Sequence, residues 1–218
     1  MKFIYCRGGD KSAPEIAMQA GMLYGIRYNY TAYDDVYMLD CGLAPKWTTY
    51  KAKVILHRPT FALVPDFEAY RDIVQIELYI QDLREIGVEL IGVTPKFYGA
   101  LEQIPSDDDI VICISIPTVY SGYLPRNSEL RPNAKYHLLG GDIRQQIQEV
   151  KRVAEHGGTV ISMDGNKLAM KAAHGQIFDG EKWRAVKNDT VTNALISAQN
   201  IMCLLEQHRI LEDEFEYQ

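Results

Sequence analysis

The chain has 218 residues, of which 47% are hydrophobic and 24% charged, and its formal net charge is −6. This is enough chain for a sizeable core, and the balance is that of a folded protein rather than a disordered polar one. No apolar run approaches the roughly 20 residues that span a bilayer, and the acidic balance disfavours wrapping nucleic acid by charge alone.

The amino terminus, MKFIYCRGGDKSAPE, turns polar too early for a signal peptide, so a cytoplasmic protein is expected. Lys2–Cys6 is the first apolar segment. The Arg7-Gly8-Gly9-Asp10 that follows it lacks the lysine and serine of a phosphate loop. Tyr28–Asp35 is aromatic, polar and irregular. Val36–Leu39 and Phe61–Val64 then read as strands, followed by Asp40-Cys41-Gly42 and by Pro65-Asp66-Phe67-Glu68. Glu68–Ile86 carries Ile73, Ile76, Leu78, Ile80 and Leu83 among charges, as a helix does.

Glu89–Val93 and Ile110–Ile116 are two further strands, and Val119–Asn133, which holds two prolines, is a long loop after the second of them. Lys135–Leu139 leads through Gly140-Gly141 to Asp142, which caps a helix reaching Glu155, and glycines 157 and 158 end that helix. Val160–Met163 precedes Asp164-Gly165-Asn166. Gly175–Arg184 reads as a hairpin around Asp179-Gly180, and Thr190–Ile210 as a closing helix before an acidic tail at about 211–218. Continuously apolar strands that alternate with helices at intervals of about 25 residues predict βα units, a parallel sheet and a single α/β domain over 1–218.

Cys6, Cys41, Cys113 and Cys203 have no metal-ligand spacing, and the five histidines form no HxH or HxxxH pair, so a disulfide framework or a zinc site has little support. Cys41 lies beside Asp40, but no histidine is placed near it by sequence, and it reads as structural.

In parallel α/β proteins catalytic groups collect at the carboxyl ends of the strands. Asp40, Asp66 and Asp164 follow three separate strands and would converge on one mouth, although aspartate is also a common turn former. Converging carboxylates suit a hard-metal site. They equally suit nucleophilic and acid–base chemistry, because neighbouring carboxylates raise one another's pKa.

In order and spacing, VYMLDCGL (36–43), FALVPDFE (61–68), KYHLLGGDI (135–143) and TVISMDGN (159–166) resemble the tRNA-guanine transglycosylase superfamily. The likeness is nearest to the phage and bacterial branch that places 7-deazaguanine bases in DNA, and it covers about residues 34–187. The resemblance implies a compact (β/α) barrel. With about seven strands it would be one short of eight and incomplete, unless Tyr28–Asp35 or the hairpin closes it. An open edge would make a homodimer or a partner chain an expectation.

The resemblance also assigns roles. Asp164 would attack C1′ of a guanine nucleotide, and Asp40 would shuttle protons on the bases. Asp66, with Glu68 nearby, would accept from the N–H edge of guanine or of a 7-deazaguanine, and Leu139, Gly140 and Gly141 would approach the base closely. The family's base-holding glutamine is replaced here by Gly92-Val93-Thr94-Pro95-Lys96, with Thr94 as the substitute. The tRNA enzymes' zinc cluster and accessory domain have no counterpart in the sequence, and no cofactor is expected. DNA is the leading polymer partner and RNA the second, with the host cytoplasm as the compartment if the chain is phage-encoded.

Arg7, Lys167, Lys171 and Arg184, together with Arg126 and Arg131, are candidate phosphate contacts near the mouth, and Tyr120, Tyr123 and Phe97 are candidate stacking residues. The same aspartates also fit a metal-assisted hydrolase or a catalytically silent barrel that binds a nucleobase.

Overall fold

The structure, a computed structural model, describes residues 1–6, 10–31, 35–42, 45–116, 123–165, 167–208 and 210. Eight parallel strands close into a barrel in chain order: β1 (Lys2–Cys6), β2 (Leu23–Arg27), β3 (Met38–Asp40), β4 (Phe61–Leu63), β5 (Leu90–Val93), β6 (Ile110–Ser115), β7 (Lys135–Leu139) and β8 (Thr159–Gly165). β8 pairs back onto β1, with Ile4 opposite Asp164. The expected parallel (β/α) barrel is present; it is closed and has eight strands rather than about seven, so the open-edge argument for a partner falls away. The missing strand is β2, which lies just before the irregular stretch rather than in it.

β2 escapes a search for apolar runs because glycine sits at the centre of its five residues. That glycine is a packing requirement. A Cβ on Gly25 would come within 2.7 Å of Ile4 and 2.8 Å of the Cys6 sulfur. Inside the barrel Ile4, Met38, Phe61, Leu63, Val111 and Cys113 form one small core, while a larger apolar shell lies between the strands and the helices. Each strand therefore buries both faces, which is why the runs are continuously apolar.

The helices are α1 (Ala13–Gln19), α2 (Trp47–His57), α3 (Ile73–Ile86), α4 (Ala100–Gln103), α5 (Ile143–Glu155), α6 (Lys167–Ala173) and α7 (Thr190–Gln207). The sequence reading anticipated only α3, α5 and α7. α3 begins later than expected, after a 3₁₀ turn at Tyr70–Asp72. Asp142 caps α5 by accepting from the Arg144 N–H at 3.1 Å. The hairpin forms as β9 (Gln176–Phe178) and β10 (Trp183–Ala185), and it packs on α7 outside the barrel rather than closing it. Among the described residues no helix is long and apolar enough to cross a membrane. The acidic tail lies outside the described residues, apart from Ile210 just before it.

One irregularity bears directly on the site. Tyr136 pairs with Val160, but the next residue, His137, pairs with Ser162, so β8 carries one extra residue at Ile161. Such a bulge shifts the inward–outward phase of everything after it. Ser162 meets His137 inside the barrel at 2.7 Å, and Asp164, two residues on, faces the mouth. Met163 instead packs in the outer shell. His137 is fully buried edge-on to Phe61, and burial pushes its pKa down to about 3, so the ring is neutral.

Candidate active site at the barrel mouth

Asp40 is the last residue of β3, Asp66 follows β4, and Asp164 is the penultimate residue of β8, so the closed barrel brings all three to its carboxyl end. They act on one another: Asp40 raises the pKa of both Asp164 and Asp66 by charge repulsion. Asp40, Asp66 and Asp164 all bear on the buried Cys113 thiol between the strands. The three carboxylates therefore share one mouth.

Their environments differ. Asp40 accepts from the Gly42 N–H at 2.7 Å, and its other oxygen lies 3.3 Å from Arg27 Nε. Asp66 lies 3.2 Å from Lys96 Nζ, and the same ammonium donates to Ser115 Oγ at 2.8 Å. Burial raises the Asp66 pKa, Lys96 opposes the rise, and Asp40 and the exposed Glu68 add to it.

Asp164 has no cationic partner among the described residues. One of its oxygens accepts from the Gly140 N–H at 2.6 Å, and the Cys6 thiol, at the end of β1, donates to the carboxylate. Burial pushes its pKa up to about 6. The Gly140 N–H and the thiol hold that rise back, and Asp40 adds to it. The Cys6 thiol is itself pushed well above its usual range by burial and then by Asp164, so it remains a donor. At neutral pH Asp164 is a largely ionised, desolvated and comparatively basic carboxylate, the state that suits a nucleophile.

Gly140 (φ +62°) and Gly141 (φ +83°) both occupy the left-handed region. A Cβ on Gly141 would lie 2.4 Å from Ile116, whereas one on Gly140 would meet nothing within 4 Å among the described residues. The side-chain direction of Gly140 is thus open, while its N–H holds the Asp164 carboxylate. Leu139, just before it, is partly buried and packs on the inner core. Thr94, at the end of β5, is buried against the Cys113 thiol, and its hydroxyl has no conventional partner among the described residues.

The expected phosphate contacts fare unevenly. Lys167 follows β8 and is held by Asp142 at 2.5 Å. Lys171 is on the last turn of α6. Arg184 is exposed on β10 and pairs with Asp179 within the hairpin. Arg126 lies over the Tyr98 ring at 4.7 Å. Arg131 is placed away from the mouth. It donates to the carbonyl of Leu101 in α4 and to those of Ile104 and Pro105 just after it, beside a cavity of about 370 Å³ at the amino ends of β6 and β7. Phe97 packs on Phe67 and Tyr70, and Tyr123 donates to Glu129, so both have structural contacts. Arg7, Tyr120 and Asn166 lie outside the described residues.

Sequence reading missed four mouth groups. Arg27 ends the unanticipated β2, Lys96 stands in a segment noted only for Thr94, and Ser115 ends β6. The fourth, Gln146 on α5, is buried and reaches the ends of both β7 and β8. Among the described residues no group of three His, Cys, Asp or Glu side chains is arranged to hold a metal ion. Residues 17–203 match the model of a family described as a family of unknown function, DUF6610. No curated protein matches the chain.

Proposed function

The chain belongs to that family, whose description carries no chemistry, and we propose that it is a transglycosylase that exchanges guanine in DNA for a 7-deazaguanine base through a covalent aspartyl–glycosyl intermediate. The observation that carries the reading is Asp164: a desolvated carboxylate at the barrel mouth, anchored through one oxygen by the Gly140 N–H, with Asp40 close enough to feel its charge. The choice of DNA over RNA rests on the motif likeness to the DNA-modifying branch.

In this reading the target base leaves its stack, or arrives single-stranded, before reaction. An Asp164 oxygen bonds to C1′ as the C1′–N9 bond breaks, and the electron pair goes to the departing guanine. Asp40 relays a proton from solvent water to that guanine, which neutralises it, and later takes one from the incoming base. The deprotonated ring nitrogen of that base then attacks C1′ and releases Asp164. Asp66 and Lys96 present an acceptor beside a donor, which matches the N–H and C=O of a lactam edge. Gly140, with no side chain, admits the base close to the backbone.

The test incubates the full chain with labelled guanine or a 7-deazaguanine and with DNA or RNA, beside an Asp164→Asn control. Label is expected in nucleic acid, together with an Asp164-dependent covalent adduct. Neither label nor adduct on any polymer would overturn the enzyme reading. Base binding without exchange would point to a silent nucleobase-binding barrel.

A further inference from the structure

Gln146 is a polar side chain buried to 1% exposure on the first turns of α5. Its amide nitrogen donates to two backbone carbonyls, Gly140 at 2.8 Å and Asp164 at 2.5 Å. The Gly140 N–H, on the preceding peptide whose Leu139 carbonyl accepts from the Ile116 N–H at 3.0 Å, donates to the Asp164 carboxylate at 2.6 Å. These three bonds make a closed loop from the end of β7, to the end of β8, to α5. Gly140 sits at φ +62° with open space where a side chain would be, so packing around that α-carbon does not fix the peptide. The hydrogen bonds do so instead.

We propose that Gln146 is a positioning residue that holds the Gly140 peptide and the β8 backbone in register, so that the Asp164 carboxylate faces the mouth in one orientation. The inference rests on the reading of Asp164 as nucleophile. Gln146 is too deeply buried to touch a substrate, so its effect falls on the chemical step and not on nucleic-acid binding. A misplaced nucleophile slows attack by about 10²-fold even when the binding surface is intact. With the Gly140 and Asp164 carbonyls released, the two residues are no longer held relative to one another, the Gly140 N–H donates less well to Asp164, and the carboxylate then keeps its proton to higher pH.

The test compares wild type with Gln146→Met, which keeps length and apolar bulk but removes the donor. Single-turnover adduct formation is expected to slow about 10²-fold. The KM for nucleic acid is expected to stay within about twofold, and the acid limb of the rate profile to move to higher pH. In parallel, the Asp164 side-chain carbon is titrated by NMR in both folded proteins, a readout that needs no turnover. A folded Met variant with unchanged adduct rate and unchanged Asp164 titration would overturn the proposal. If the titration shifts while wild type itself forms no adduct, the transglycosylase reading fails and the positioning role stands. Should the Met variant not fold, Gln146→Leu takes its place, since it removes the donor without adding a charge beside Asp164. An unchanged Asp164 titration in that variant would overturn the proposal equally.

Discussion

Lys96 Nζ lies 3.2 Å from Asp66 Oδ2 and donates to Ser115 Oγ at 2.8 Å, so one ammonium ties the ends of β4 and β6 together across β5. Two of its three protons are used among the described residues. The third remains to meet an acceptor on a ligand beside the Asp66 carboxylate. Lys96→Met is expected to weaken guanine binding about 10-fold or more, the worth of a charge-assisted hydrogen bond. Calorimetric titration with guanine and with 2-aminopurine checks this, because 2-aminopurine lacks the carbonyl and should lose little. An equal loss for both bases would remove Lys96 from recognition.

Asp164 links activity to pH in a direction its burial dictates. Its pKa is raised from 3.8 to about 6, so the folded protein holds a proton there that the unfolded chain releases. Below the unfolded value both states are protonated and the group contributes nothing. Between the two values stability falls as pH rises, and above about 6 the cost is constant. Adduct formation is expected to decline as pH falls through about 6, where the carboxylate becomes protonated. Asp164→Asn should abolish the adduct yet raise the melting midpoint by about 2–6 °C at pH 8. At pH 4 the midpoint should hardly change. A variant less stable than wild type at pH 8 would contradict the desolvation argument.

The two mouth glycines are predicted to separate stability from function. Gly141→Ala forces a methyl group into Ile116 at a positive φ and should destabilise the fold clearly in thermal melts. Gly140→Ala meets no neighbour among the described residues, so its cost is the left-handed conformation alone, about 1–2 kcal/mol. In the proposed reading its methyl group stands where the base would approach the backbone. Base affinity should therefore fall more for Gly140→Ala than stability does, which titration and melting curves on the same protein can compare.

The metal-assisted alternative makes the opposite demand on cations. With Asp40 facing Arg27 and Asp66 facing Lys96, two of the three mouth carboxylates already have positive partners. Base exchange is expected to survive exhaustive chelation with its rate changed by less than about twofold. Loss of activity on chelation, with recovery on adding a divalent cation, would replace the transglycosylase by the metal-dependent reading.

Much of this arrangement is legible along the chain, for a physical reason. A strand buried on both faces must be apolar throughout, and the polar residue that ends the run marks its mouth. Asp40, Asp66 and Asp164 announce themselves in this way, and Gly140-Gly141 before a capping Asp142 announces a tight strand-to-helix turn. β2 does not, because Gly25 is there to let Ile4 and Cys6 pack, a requirement set by a neighbouring strand. Arg131 looks like any loop arginine until the fold places it on the carbonyls at the end of α4. Gln146 shares the apolar face of its helix with Ile143 and Ile147, unlike the adjacent Gln145, but nothing local shows that its amide reaches the ends of β7 and β8.

The sequence by itself determined the alternation of strand and helix, and with it a parallel α/β fold whose carboxylates gather at one end. Those are consequences of local hydrophobic pattern and turn chemistry. The tertiary structure alone decided that the sheet closes with eight strands and that the bulge at Ile161 turns Asp164 toward the mouth. It also decided which carboxylates have cationic partners and that Gln146 holds the Gly140 and Asp164 backbones. Each of these depends on contacts between residues distant in the chain, and on the burial that closure imposes, so no window of sequence contains them.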